Sequence, residues 1–356
     1  MSLPVRIVSV GTHTPAVRVT SEALDELYGR PPGSTSARSG VLERRWIAPD
    51  ETTVSMTGGA LAQALDRGGL TIDDLDALIV TGIVPEQPLP TTAILVAAQL
   101  GVADGALEAF DVNASCLGFL VGLQQAAFGI AAGRWKRVAV AATDIASKGL
   151  NHTDLETSAL FGDGAAAVVV ETAPMVETAP MVEPVETPEP RSSDPGFDTL
   201  NRGSEILALR LRSYPSAANL CRIPAGGTRW NTFTPPPERA EYMFAMDGLG
   251  MMKLVTREFP GFLDDVLDEA GVTRDQLDVI VPHQASSLGL RFLRERLGMR
   301  PDTVVDILAE RGNQVSASLP TALASAVESG RLRRGQLCLL LGTGAGLLFG
   351  AAVLRF

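Results

Sequence analysis

The chain has 356 residues, 41 acidic against 30 basic side chains and a net charge of −11, and its 46% hydrophobic and 20% charged content is that of a folding chain. The acid excess is a poor match for phosphate recognition and no basic run exists, which excludes nucleic acid and a polybasic membrane anchor as partners. Three Cys and three His are too few for a disulfide framework or a zinc cluster, and no apolar stretch approaches the roughly 18 residues of a membrane span, so a cytoplasmic protein with reduced thiols and no metal is expected.

Taken along the chain, Val5 to Val10 reads as a strand closed by Gly11, and residues 51–69 carry apolar positions at helical spacing up to Gly68-Gly69. Leu75 to Thr81 is a short apolar run bounded by polar turns, a buried strand. Ala93 to Leu100 reads as helix, Glu108 to Val112 as strand, Leu117 to Ala132 as a long apolar helix, and Arg137 to Ala142 and Ala165 to Val170 as buried strands. Strands alternating with helices define an α/β layered fold. Residues 171–190 break the pattern: ETAPMV occurs twice in tandem, followed by EPVETPEP, with five Glu and no base. Such acidic, Pro-rich sequence buries too little surface to offset its chain entropy and is expected to be an exposed, mobile insertion, with a plain linker as its simplest role. The division is therefore a first half over 1–170, the insertion within 171–204, and a second half over 205–356.

The two halves repeat each other. ALDRGGLTIDDLDALIVT (64–81) aligns with VLDEAGVTRDQLDVIVPH (266–283), and both read as a helix end, a Gly stop, a capped turn and a buried strand. Each copy is followed by a strand–loop–helix unit, FDVNASCLGFLVGLQQAA and then VVDILAERGNQVSASLPTALASAV, and each half ends in a Gly-bearing turn and a β-rich run. One α/β unit has been duplicated.

The loops of this repeat carry the chemistry. Cys116, in DVNASCLGF, sits between a strand end and an apolar helix, where the positive helix terminus favours thiolate and unpaired N–H groups can face an oxyanion. A buried thiol packing as a small apolar residue gives the same local pattern. His283 ends the strand LDVIVPHQAS, at the edge where α/β sheets place working groups; a hydrogen-bonded His at a sheet edge is the alternative. Asn313, after Gly312, occupies the second copy's counterpart of the Cys116 loop, although an Asn there is by itself more often a turn residue. Equivalent loops of a duplicated fold meet across its pseudo-twofold, so Cys116, His283 and Asn313 are expected to converge. Cys338, mid-strand, reads as structural, and Cys221 lies in irregular sequence and could be exposed.

These motifs resemble the β-ketoacyl-ACP synthase III family of the thiolase superfamily nearly end to end: RSGVLERRWIAPDET (38–52), AFDVNASCLGF (109–119), FGDGAAAVVV (161–170), VPHQAS (281–286) and ERGNQVSASLPTAL (310–323). The resemblance implies a thiolase-like fold in which the duplicated halves form a five-layered αβαβα body, active as a homodimer. It implies an acyltransferase that acylates Cys116 from acyl-CoA or an acyl carrier protein and then condenses the acyl group with a malonyl thioester, without a cofactor. The same resemblance assigns the oxyanion hole to the N–H groups of Cys116 and of the Gly344–Gly346 turn, enolate binding to His283 and Asn313, and substrate contacts to Arg38, Leu89, Lys253 and Ser286. Pro31-Pro32-Gly33-Ser34 replaces the family's Trp-containing run, Leu89 its common Phe, and Ser286 its Asn, which points to a specialised member rather than the housekeeping initiator of fatty-acid synthesis. The rival function is transfer of the acyl group from Cys116 to an alcohol or amine in a secondary-metabolite pathway, which needs no Asn313.

Overall fold

The computed structural model of the chain describes residues 2–173 and 204–356. The first half runs β1 (Val5–His13), β2 (Val17–Thr20), α1 (Ser21–Leu27), α2 (Ser34–Ser39), β3 (Glu43–Trp46), α3 (Thr53–Gly68), β4 (Ala77–Thr81), α4 (Thr92–Gln99), β5 (Glu108–Val112), α5 (Gly118–Ala131), β6 (Arg137–Asp144), α6 (Leu155–Ser158) and β7 (Gly164–Thr172). The second runs β8 (Glu205–Ser213), β9 (Cys221–Arg222), β10 (Ala245–Met246), α7 (Gly248–Ala270), β11 (Val279–Pro282), α8 (Ser287–Arg296), α9 (Leu308–Arg311), α10 (Ser318–Glu328), β12 (Leu337–Gly344) and β13 (Leu348–Arg355).

The duplication is visible strand by strand. One sheet has the order β1-β7-β6-β4-β5 and the other β8-β13-β12-β11. In each, the corresponding strands β4 with β6 and β11 with β12 are parallel and the next two pairings are antiparallel. The second counterpart of β5 shrinks to a single parallel bridge between Ile280 and Val304. The aligned segments also share their local devices. Gly69 and Gly271 cap α3 and α7 in the left-handed region, at φ 62° and 65°, and Thr71 with Asp74 and Thr273 with Gln276 form matching capping boxes before β4 and β11.

Strand alternation builds five layers. Ile79, Val140 and Val168 from the first sheet and Leu340 and Leu354 from the second face a central layer made of α5 (Phe119, Leu120, Leu123) and α10 (Leu319, Leu323). Neighbouring residues on the opposite faces turn outward: Leu78, Ala139 and Val169 against α3 and α4, and Leu339, Phe349 and Val353 against α7 and α8. This is the αβαβα body expected from the sequence.

One boundary shifts. Glu171, which the composition assigns to the acidic insertion, is the penultimate residue of β7, opposite Arg6 of β1 and Arg137 of β6. It accepts from Arg6 Nε at 2.8 Å and Arg137 Nε at 2.9 Å, and opposite charges placed directly across a ladder favour pairing. The expectation of an exposed insertion otherwise falls on 174–203, outside the described residues.

Candidate active site

The site lies where strands β4, β5, β6, β11 and β12 end and the helices of the central layer begin, the place at which open α/β sheets bind ligands. Cys116 sits two residues before α5. The preceding turn is set by Asn113, whose Nδ2 donates to Ile83 O (3.1 Å) and whose Oδ1 accepts from Ser115 N (3.0 Å). Ser115 itself takes φ 51°, and Leu117 N and Gly118 N close back onto Ala114 O and Ser115 O. That leaves the N–H of Cys116 facing its own sulfur, with the N–H of Ala345 facing it from the β12–β13 turn. These two N–H groups favour the thiolate, but burial outweighs them, and with the nearby Cys221 and Asp144 it pushes the thiol up to about 12.

His283 follows β11 directly. Its N–H donates to Leu341 O at 2.8 Å, it is 5% exposed, and burial pushes the imidazole down to about 4, so the ring is neutral at physiological pH. Nδ1 has no hydrogen-bond partner among the described residues. Room for the ring comes from Gly342 on the neighbouring strand, where a Cβ would stand 2.6 Å from His283 Cβ.

Asn313 is fixed by the glycine turn of the other half. Its N donates to Leu160 O (2.9 Å) and its O accepts from Gly162 N (3.1 Å). A Cβ on Gly162 would collide with Arg311 O, so FGDG is a close-approach motif for this loop. Asn313 Oδ1 accepts from Val315 N at 2.8 Å, and Nδ2 donates to Ala285 O at 3.2 Å, while Ala285 N donates to His283 O at 2.8 Å. One residue thus ties His283 to Asn313.

Cys116, His283 and Asn313 line a single cavity of about 1210 Å³, as the duplication implied. Arg38, Ser286 and Gly344 line it as well. Gly346 does not; Ala345 supplies the N–H facing the sulfur, so the second donor lies one residue earlier than Gly346 and one later than Gly344. Leu89 is 81% exposed and Lys253 is exposed on α7, and neither lines the cavity of its own chain. Two lining residues escape the sequence reading. Cys221 is 8% exposed rather than open to solvent, and Asp144 ends β6 at the cavity wall. An acid terminating the apolar run RVAVAAT carries the same signal that marks His283.

A five-layered duplicated body with a thiol, a neutral imidazole and an amide at the pseudo-twofold defines a thiolase-fold condensing enzyme. Family models narrow this further. Residues 110–182 match the 3-oxoacyl-[acyl-carrier-protein] synthase III domain, and 267–356 match its C-terminal domain. The chain is 32% identical over 352 residues to the β-ketoacyl-[acyl-carrier-protein] synthase III of Rhodopirellula baltica, covering 99% of this chain and 98% of that one. To a Streptomyces coelicolor member it is 34% identical over 351 residues, covering 98% and 96%. Among solved structures, synthase III of Aquifex aeolicus superposes with a TM-score of 0.82 at 30% identity, covering 99% of this chain and all of that one. The chain belongs to the β-ketoacyl-ACP synthase III family.

Proposed function

We propose that this enzyme condenses an acyl group, carried first on Cys116, with a malonyl thioester. The sulfur of Cys116 attacks the carbonyl of an acyl-CoA or acyl-carrier thioester, and the thiol proton leaves with the departing thiol. The malonyl thioester then binds with its carbonyl oxygen against the His283 imidazole and the Asn313 amide. Loss of CO₂ leaves an enolate on that oxygen, and its carbon attacks the acyl-Cys116 carbonyl. The N–H groups of Cys116 and Ala345 hold the resulting oxyanion, which collapses to release the thiolate and a β-ketoacyl thioester. A neutral donor at His283 is needed here, since an imidazolium would protonate the carbanion. No cofactor takes part in this scheme.

The observation that carries the reading is the Ala285 link, which sets His283 and Asn313 side by side in the cavity that holds Cys116. Transfer to an alcohol or amine needs no amide at that place, so Asn313 favours condensation. The proposal includes a homodimer and a cytoplasmic location. β5 is an open sheet edge, and Leu89, Ile94 and Phe128 are exposed, features that suit a second copy. No helix among the described residues is long and apolar enough to cross a membrane. The test is a panel of acyl-CoA and acyl-carrier donors with malonyl-CoA and malonyl-carrier, read by mass spectrometry. If Cys116 gains acyl mass from no donor, the reading is wrong.

A further inference from the structure

The condensation scheme leaves one buried charge at the site without a part. Asp144, 5% exposed at the end of β6, lines the cavity beside Cys116. Its Oδ1 accepts from Ile83 N at 2.8 Å. Its Oδ2 accepts from Ser316 N at 2.9 Å and from the Ser316 hydroxyl.

Each of these donors leads to one half of the site. Ile83 O receives Asn113 Nδ2, and Asn113 Oδ1 holds Ser115 N, the residue before the nucleophile, in its left-handed turn. Ser316 follows Val315, another left-handed residue at φ 56°, whose N–H is gripped by Asn313 Oδ1. A single carboxylate from the first half is therefore connected through Ile83 and Asn113 to the turn that presents the thiol, and through Ser316 to the turn that presents the amide. Non-glycine residues in left-handed turns persist only where their surroundings hold them.

We propose, on the basis of the condensing reading, that Asp144 is a positioning residue that sets the Cys116 loop against the Asn313 turn across the duplication. Burial raises the Asp144 carboxyl to about 6, while the Ser316 and Ile83 donors pull it down, so it is ionised at pH 7.5. The other titratable side chains at the cavity are Arg38, Glu86, Lys148, Cys221, Tyr242 and His283. Cys221 acts on Cys116 in the same direction as Asp144, and Asp163 raises Asp144 in turn. The Asp144 charge adds to the burial that holds the Cys116 thiol protonated, so its removal acts in opposite directions on thiol reactivity and on condensation, which a residue that merely stabilises the fold would not produce.

Asp144→Asn keeps the size, removes the charge and turns one acceptor oxygen into a donor against Ile83 N or Ser316 N. The expected result is iodoacetamide capture of Cys116 at pH 8 faster than wild type, while condensation turnover falls by about 10²-fold from misplacement of Asn313. Ser316→Ala keeps the charge and removes one tie, so condensation falls and the alkylation profile against pH stays at that of the wild type. Both are read on the full chain by intact mass and product analysis. Slower or unchanged alkylation in Asp144→Asn overturns the electrostatic role, and wild-type condensation in Ser316→Ala overturns the positioning role even if Asp144→Asn does not fold. Failure of the condensing reading looks different: wild-type enzyme that takes up no acyl group or makes no β-ketoacyl product.

Discussion

Gly342→Ala tests how tightly the site is built around His283. Gly342 lies in β12 opposite Gly350, away from the left-handed region, so alanine introduces no backbone strain and the whole effect is the added methyl. That methyl would stand 2.6 Å from His283 Cβ, 3.6 Å from His283 Cγ and 3.2 Å from Leu117 Cδ2. Carbon pairs prefer about 3.5–4.0 Å, so the overlap with His283 is about 1 Å. Leu117 can yield at its flexible end; Cβ of His283 cannot move without the main chain, which is pinned by the N–H bond to Leu341 O. Overpacking of this kind costs about 1–3 kcal/mol of stability, and a displacement of about 1 Å at a reacting group costs about 10²-fold in rate. The expected outcome is a lower Tm, condensation reduced about 10²-fold, and acyl-Cys116 formation reduced far less. Acylation is followed by intact mass after acyl-CoA addition, and condensation by β-ketoacyl product. Condensation at the wild-type rate would show that His283 does not act from the position described.

Other substitutions separate the half-reactions. Cys116→Ala should abolish acyl uptake, seen as no mass gain with any donor. His283→Ala and Asn313→Asp should both leave acylation and stop condensation; normal product from Asn313→Ala would favour plain acyl transfer instead. Stability should fall in acid through His283. Its folded value of about 4 is depressed from 6.5, so the contribution is complete above 6.5 and is lost as pH falls toward 4, by about 3 kcal/mol. Asp144, raised to about 6 from 3.8, works in the opposite sense over an overlapping range, so the His283 part is read as the difference in denaturant midpoints between wild type and His283→Gln. A parallel acid profile in that variant would remove His283 as the cause.

How far the sequence reveals this molecule depends on where each signal resides. The duplication was legible because the Gly caps and Thr capping turns at 69–71 and 271–273 are local devices that only certain residue types can form. Cys116, His283 and Asn313 were legible together rather than singly: each alone has a structural alternative, but all three occupy loops of the duplicated unit, which meet across its pseudo-twofold. Ala345 was not, since a backbone N–H leaves no side-chain signature. Ser316 as the partner of Asp144, 172 residues away, was not either, because the contact exists only once the halves close on each other. Leu89 and Lys253 rest on resemblance alone, and both lie on the surface of the single chain, where sequence spacing says nothing about which cavity they serve. Glu171 misled through composition: its neighbours are acidic and Pro-rich, but Arg6 and Arg137 claim it for the sheet.

The electrostatics of the resting site bear on the order of events in acylation. Burial pushes the Cys116 thiol up and the His283 imidazole down, so both shifts act against a thiolate–imidazolium pair formed before attack. The N–H groups of Cys116 and Ala345 lower the cost only where negative charge gathers, and in the tetrahedral adduct that charge sits on the carbonyl oxygen. The arrangement therefore favours attack in which the proton leaves sulfur as the carbon–sulfur bond forms. Burial that keeps the free thiol quiet toward solvent-borne electrophiles is then compatible with rapid reaction toward a thioester held against the two N–H donors.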